Sequence, residues 1–413
     1  MSNEGLASPV IGGEAVVSGT VGLPQTERYV GALARWSSST SAAAMAVYAA
    51  TRVISLLTYG LLLPLRRFRN PRVRHVWPFL SHGWDANWYA RIAVHGYQQS
   101  DPATFHFYPG YPAAIAAIRW IPGLGEGGAA IIVTFIAGLA AAAGLARLCL
   151  RLTGDARPSV LAVALWAVAP AAFVLSMAYS EALTCALAVW ALNAVADRRW
   201  LLGGVLTMLA GTVHTSAVAL VAAVEVAALI AVVQALRGPG RKRPRDWLRP
   251  AAAMVISPLG LIGFWCYVAF VLHSPGGWLN AESSSGGGVD WGASLWRNLF
   301  IILGGTRTGP DPFRLLFVLA ILAAIGLSAW TLTERIPAYI KVYVLCTVLL
   351  AVLSDSSSLS SKIRILLPAM LIGLPLARIL APARTYVLVP MLVILAAASA
   401  WLTLLTTIAN FPP

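Results

Sequence analysis

Trp84-Asp85-Ala86-Asn87-Trp88-Tyr89-Ala90-Arg91-Ile92-Ala93-Val94-His95-Gly96-Tyr97 is a polar stretch in an otherwise apolar sequence. It follows the first hydrophobic run and sets a carboxylate among aromatic rings, with an arginine six residues on. On a helix from Asp85, Trp88, Tyr89 and Ile92 share the face of the acid, while Arg91 lies about a turn and a half away, toward the opposite side. A carboxyl group in that setting can hold a raised pKa or take a proton, and aromatic faces suit sugar rings. The same residues also fit an interfacial helix whose Trp and Tyr only mark the headgroup level.

Outward from that stretch the chain is greasy. Of 413 residues, 58% are hydrophobic and 11% charged, and the mean hydropathy is +0.74, which predicts a polytopic membrane protein. The expected fold is all-α: a transmembrane bundle of about eleven spans at ~20 residues each, with no length left for a soluble domain. Residues 1–44 read as a flexible Gly/Ser/Ala-rich tail without a signal-peptide pattern, and 45–413 as a single transmembrane domain. The first span is expected at 44–65 and carries Arg52, an arginine that must face other helices or a polar cavity. A long loop, 66–128, follows, and 107–122 within it reads as a proline-broken interfacial helix. Further spans are expected at 129–150, 158–176, 180–196, 201–214, 216–236, 250–272, 313–333, 337–353, 364–380 and 386–408. The pair at 201–236 looks like two half-depth helices meeting at a polar break near His214.

Loop charge sets the expected orientation. Arg237, Arg241, Lys242, Arg243, Arg245 and Arg249 against Asp246 put 237–249 in the cytoplasm, with Arg147, Arg151, Arg157, Arg198 and Arg199 on the same side. The loops 66–128, 273–312 and 354–363, with the turn at Tyr179–Glu181, then emerge together outside. Arg66, Arg67, Arg69, Arg72 and Arg74 oppose that assignment, either because long loops escape the rule or because they bind lipid phosphate. The net charge of +14 is scattered over loops, which fits contact with anionic membrane lipids and not nucleic acid. Cys149, Cys185, Cys266 and Cys346 all sit in apolar runs without paired spacing and read as packed hydrophobes.

The polar residues expected outside could supply a base, a cation that grips phosphate and an aromatic platform for a sugar. Asp85 is the candidate base. Arg364, beside Lys362 at the mouth of a late span, is the candidate clamp, because a guanidinium fork grips phosphate at two points. Arg91 is a second candidate, and either arginine also fits a headgroup contact. Glu181 opens a span, where it can complement the helix dipole or bind sugar hydroxyls. His214, in an apolar run, is a site candidate or the holder of a helix break. His82, His95 and His106 share the first loop with Asp85 and Asp101, so a divalent metal is conceivable there. The tight spacing of a metal motif is missing, and no cofactor is assigned.

Trp84-Asp85-x-x-Trp88-Tyr89-x-x-Ile92-Ala93-x-x-Gly96-Tyr97 resembles the signature of the PIG-V-like mannosyltransferases, the family of GPI-anchor mannosyltransferase II and its bacterial relatives. Phe107-Tyr108-Pro109-Gly110-Tyr111-Pro112, Ser176-Met177-Ala178-Tyr179-Ser180-Glu181-Ala182-Leu183 and Ser361-Lys362-Ile363-Arg364 follow in the order that family shows. Two positions depart from it: Gly110 stands where Leu is usual, and His214-Thr215-Ser216 replaces an Arg-Pro-Thr-Gly-like turn. The resemblance implies a GT-C-type glycosyltransferase of the plasma membrane, with its active site on the extracytoplasmic face. It would move mannose, with inversion, from a polyprenyl-phosphate-mannose donor to a glycolipid or glycan acceptor, with Asp85 as general base. Trp84, Asn87, Trp88, Tyr89, Arg91, Tyr108, Tyr111, Tyr179, Glu181, His214 and Arg364 are then the candidate donor and substrate contacts. The alternatives are a transporter or lipid flippase, to which the intramembrane charges Arg52 and Glu225 belong, and a non-catalytic protein that binds the lipid sugar.

Overall fold

The computed structural model describes residues 24–65, 75–237, 243–284, 288–304, 312–354 and 359–408. The arginines at 66–74, Arg241 and Lys242 lie outside these. Residues 1–38 and 39–413 form two compact units. Of the first, only the start of helix α1 (Pro24–Leu62) is described, so helix already occupies part of the stretch expected as a tail. The remainder concerns the second unit.

The described residues are helical, and their only β feature is an isolated bridge between Val289 and Ser354. After α1 come three short helices of the first loop, α2 (Val76–His82), α3 (Asp85–His95) and α4 (Gly110–Ile118). The bundle continues with α5 (Gly125–Thr153), α6 (Ala156–Ala167), α7 (Glu181–Ala196), α8 (Trp200–Gly211), α9 (Ala217–Arg237), α10 (Pro244–Ile256) and α11 (Leu259–Val271). Two short helices, α12 (Gly277–Ser284) and α13 (Ala293–Gly304), precede α14 (Pro312–Thr333) and α15 (Ala338–Leu353). The chain closes with α16 (Leu359–Ile365), α17 (Leu374–Leu380) and α18 (Thr385–Ile408).

Among the described residues, six helices are long and apolar enough to cross a membrane: Ser38–Leu62, Gly125–Thr153, Ala217–Arg237, Pro244–Val271, Arg314–Thr333 and Thr385–Thr407. Most other expected spans coincide with apolar helices of 12 to 16 residues, at Ala156–Ala167, Glu181–Ala196, Trp200–Gly211 and Ala338–Leu353, shorter than a single straight crossing needs. The expected span 364–380 is instead a bent pair. Leu359–Ile365 and Met370–Leu380 meet at 83° around Pro368, which cannot continue a helix. The break leaves carbonyls to satisfy, and two side chains do so: Trp166 Nε1 donates to Leu367 O at 3.1 Å, and Tyr343 Oη to Pro368 O at 2.8 Å.

The core is built on small residues. A Cβ at Gly144 of α5 would lie 2.7 Å from Val189 Cγ1 of α7, and one at Gly138 would overlap the Tyr48 ring, so both glycines permit close helix approach. Asn193 of α7 fastens that contact by donating to Gly144 O at 2.9 Å. Large apolar side chains such as Leu61, Ile136, Phe270 and Ile394 point outward, as a lipid-facing surface requires. At the far end of α7, Asp197 binds Arg147 and Arg151, about 24 Å along the axis from Glu181. The basic loops and the Glu181 end of the bundle therefore sit at opposite poles.

Candidate active site

Asp85 and Glu181 are each the first residue of a helix, α3 and α7, where the exposed N–H groups favour negative charge. The two helix starts converge on one guanidinium. Arg364, in the last turn of α16, donates from Nη1 to Asp85 Oδ2 at 2.5 Å, and its Nε lies 3.0 Å from Glu181 Oε1. Its guanidinium carbon also stands 5.3 Å from the Tyr179 ring centroid, and Tyr179 Oη accepts from the Asp85 N–H at 3.3 Å. The side chains are unequally open. Asp85 is 26% exposed, Arg364 14% and Glu181 4%, so Asp85 is the member a substrate reaches first.

Trp84 enters α3 with φ 54° and ψ −121°, a backbone conformation that a tryptophan pays for in strain. Beneath Asp85, Tyr89 is buried and shares a 2.8 Å hydrogen bond with Ser180, which fixes α3 against the start of α7. Trp88 stacks on Phe107 at 5.7 Å, and Asn87 is half-buried on the same helix. Tyr111 is fully buried, edge-on to Tyr89 at 4.9 Å, with its hydroxyl on Thr134 and Ala130 O. It forms part of the packing beneath Tyr89.

Two other expected residues, Arg91 and Tyr108, have partners of their own. Arg91 bonds Asp101 at 3.0 Å and lies over the Trp88 ring at 4.9 Å. Lys362, the near neighbour of Arg364, is fully buried, and its Nζ donates to the carbonyls of Val352 and Ser354 at the end of α15. Tyr108 belongs to an aromatic cluster with Phe264 and Trp278, and its hydroxyl accepts from Trp265 Nε1 at 2.9 Å.

His214 occupies the turn between α8 and α9. Its Nδ1 accepts from the Ser216 N–H at 3.0 Å, which leaves the ring proton on Nε2. Burial, helped by Arg364 and His106, pushes its pKa down to about 3, so it stays a neutral donor at ordinary pH. Gly110 packs against the residues just before this turn. Gly110 donates its N–H to Thr212 O at 2.6 Å, and a Cβ at position 110 would fall 2.6 Å from Thr212 Oγ1. A leucine does not fit against this turn.

One pair escaped the sequence. His106, at the end of the 3-10 turn Pro102–His106, places Nδ1 2.8 Å from Glu282 Oε2 of α12. Burial disfavours the imidazolium, yet the Glu282 contact outweighs it and raises the His106 pKa above the usual histidine value, with a further contribution from Asp85. Both residues stood in the expected outer loops, and the adjacency of His106 to the Phe107-Tyr108-Pro109 motif was the one local signal. Among the described residues no three His, Cys, Asp or Glu side chains gather as metal ligands.

No family model and no curated protein matches the chain. Among solved structures, the crystal structure of ArnT from Cupriavidus metallidurans bound to undecaprenyl phosphate is similar to it, with a TM-score of 0.48 and 16% identity. The match covers 80% of this chain and 59% of that one, so the chain spans well under two thirds of the length of ArnT.

Proposed function

We propose that this protein is an integral-membrane glycosyltransferase that moves a sugar from a polyprenyl-phosphate donor to an acceptor hydroxyl on the extracytoplasmic face. The sugar is mannose if the PIG-V-like signature carries its usual specificity. The observation that carries this reading is the Arg364 guanidinium held between Asp85 and Glu181 at two converging helix starts. A guanidinium fork balanced by side-chain carboxylates can exchange one of them for a phosphate.

In the chemistry that follows, the donor phosphate displaces Asp85 from Arg364. Asp85, the open acid, is thereby freed to take the proton of the acceptor hydroxyl. The acceptor oxygen forms its bond to the anomeric carbon as the carbon–oxygen bond to phosphate breaks, and that electron pair leaves with the phosphate. Arg364 stabilises the departing charge, and attack opposite the leaving group inverts the anomeric centre. Glu181, sealed at 4% exposure, keeps the guanidinium oriented throughout. The pole that holds Arg147 and Arg151 is the cytoplasmic one by the positive-inside rule, which leaves the Asp85 pole outside.

A transporter needs polar groups that converge near the midplane. Arg52 instead grips the carbonyls of Ala167 and Ala172, and Glu225 accepts from Ser257 Oγ at 2.7 Å, so each has a structural partner of its own. The test is release and transfer of labelled sugar from polyprenyl-phosphate mannose by the purified protein in lipid. Transport of the intact lipid without sugar release overturns the proposal. Sidedness is tested by single cysteines at Ser100 and Arg245, of which an external reagent should label only the first.

A further inference from the structure

Imidazole has two nitrogens, and a carboxylate that claims one of them decides what the other can do. In His106 the claimed atom is Nδ1, 2.8 Å from Glu282 Oε2. A proton on Nδ1 faces that carboxylate, and in this neutral tautomer Nε2 carries only a lone pair. Protonation turns Nε2 into a donor. His214 is built the opposite way: the Ser216 N–H occupies its Nδ1 and leaves Nε2–H in the neutral form. The structure thus sets one switchable and one fixed imidazole near the same acid–arginine pair.

Among the described residues nothing hydrogen-bonds to His106 Nε2. Its ring stands edge-on to Phe107 at 5.0 Å, and Phe107 in turn packs on Trp88 and Tyr89, the aromatic face of α3. The side chain is 27% exposed, comparable with Asp85. The charged groups acting on the ring are Glu282 from α12, Asp85 from α3 and Arg364 from α16; His214, from the turn before α9, is its neutral neighbour. Asp101, at the start of its own turn, is paired with Arg91.

We propose that His106, oriented by Glu282, is a second phosphate-binding group of this site, donating from Nε2 to the phosphate of the donor lipid alongside Arg364. The assignment rests on the donor-lipid reading above. The phosphate, a diester in the donor and a monoester in the product, meets a hydrogen-bond donor when the ring is protonated and a lone pair when it is not, so affinity must fall as pH rises through the His106 pKa. That pKa lies above the ordinary histidine value, so the fall comes at a higher pH than a free imidazole would give. The product phosphate is released by the same route, because loss of the Nε2 proton removes one of its two holders.

The experiment measures binding of dodecyl phosphate and of inorganic phosphate to the full chain in lipid nanodiscs. The range from about pH 7 to about pH 9 keeps the phosphate largely dianionic, its second pKa being about 6. Wild-type affinity for dodecyl phosphate should drop about tenfold over that range, as loss of one coupled proton allows. His106→Gln should bind more weakly at the lower pH and show a flat profile. Glu282→Gln, which removes the carboxylate that supports the imidazolium, should move the fall to lower pH while thermal stability checks that it is folded. Displacement of dodecyl phosphate by inorganic phosphate, with the same pH response, marks recognition of the headgroup. A flat wild-type profile, or a His106→Gln profile that still falls, overturns the assignment. Dodecyl phosphate binding that inorganic phosphate never displaces marks tail binding and overturns it as well. A wild-type protein that binds neither probe at any pH overturns the donor reading itself and this assignment with it.

Discussion

Two arginines of this protein are taken out of water in opposite ways. Arg52, 2% exposed in α1, meets the carbonyls of Ala167 and Ala172, lies 3.5 Å from Ser176 Oγ and stands 5.5 Å from the Tyr48 ring centroid. Its balance is backbone dipole at the end of α6 and the start of the following 3-10 turn, groups that cannot move without unwinding helix. Arg364 is balanced by Asp85 and Glu181, side chains from two separate helices, one of which is open to solvent. A buried cation requires compensation in either case. Compensation by backbone locks a fold, whereas compensation by an exposed carboxylate can be traded for a ligand.

The contrast breaks most readily at Asp85. Asp85→Asn keeps size and hydrogen bonding but removes the proton acceptor, so turnover should fall on the order of a hundredfold while donor binding and thermal stability stay near wild type. Near-normal transfer by a folded Asp85→Asn protein would leave the carboxylate as mere ballast for Arg364. Next is Arg52→Met, which strands two buried carbonyls and should cost about 2 kcal/mol of stability with turnover per folded molecule unchanged. Unfolding in matched lipid, read beside activity, checks it. Normal stability with lost turnover would move Arg52 into the site.

Arg364→Lys sharpens the comparison, since it preserves charge but not the fork. Donor use should become about tenfold poorer, and poorer still in Arg364→Ala, measured as kcat/KM for the donor lipid. Equal donor dependence in wild type and Arg364→Ala would end the clamp assignment. The smallest effect is expected at Arg91, whose ion pair is exposed and whose ring contact is worth only about 0.5–1 kcal/mol. Arg91→Ala should change donor KM by less than about threefold; a loss comparable with Arg364→Ala would mean that the site extends to the Asp101 side.

Much of this was legible before any coordinates. Apolar runs located α5, α7, α9, α14, α15 and α18 closely, because each run must bury or face lipid along its whole length, and that is a property of neighbours in sequence. The Trp84–Tyr97 stretch announced a helix with an acid at its start, and α3 begins at Asp85. Where hydropathy was averaged over a break it misled: 364–380 has the composition of one span, but Pro368 divides it. Lys362 and Arg364 looked alike as cations at a span mouth. The turn of α16 sends one to the carbonyls ending α15 and the other to the acids.

The sequence by itself determined that the chain is a helical membrane protein, where its polar interruptions fall, and which acid stands among aromatic residues. Only the tertiary structure decided which charges meet. Asp85 and Arg364 are 279 residues apart, Glu181 lies between them in sequence, and His106 of the first loop finds Glu282 of α12. Hydrophobic periodicity is written in adjacent residues and can be read locally. Charge pairing in a low-dielectric interior is chosen among distant partners by which helix ends the packing brings together.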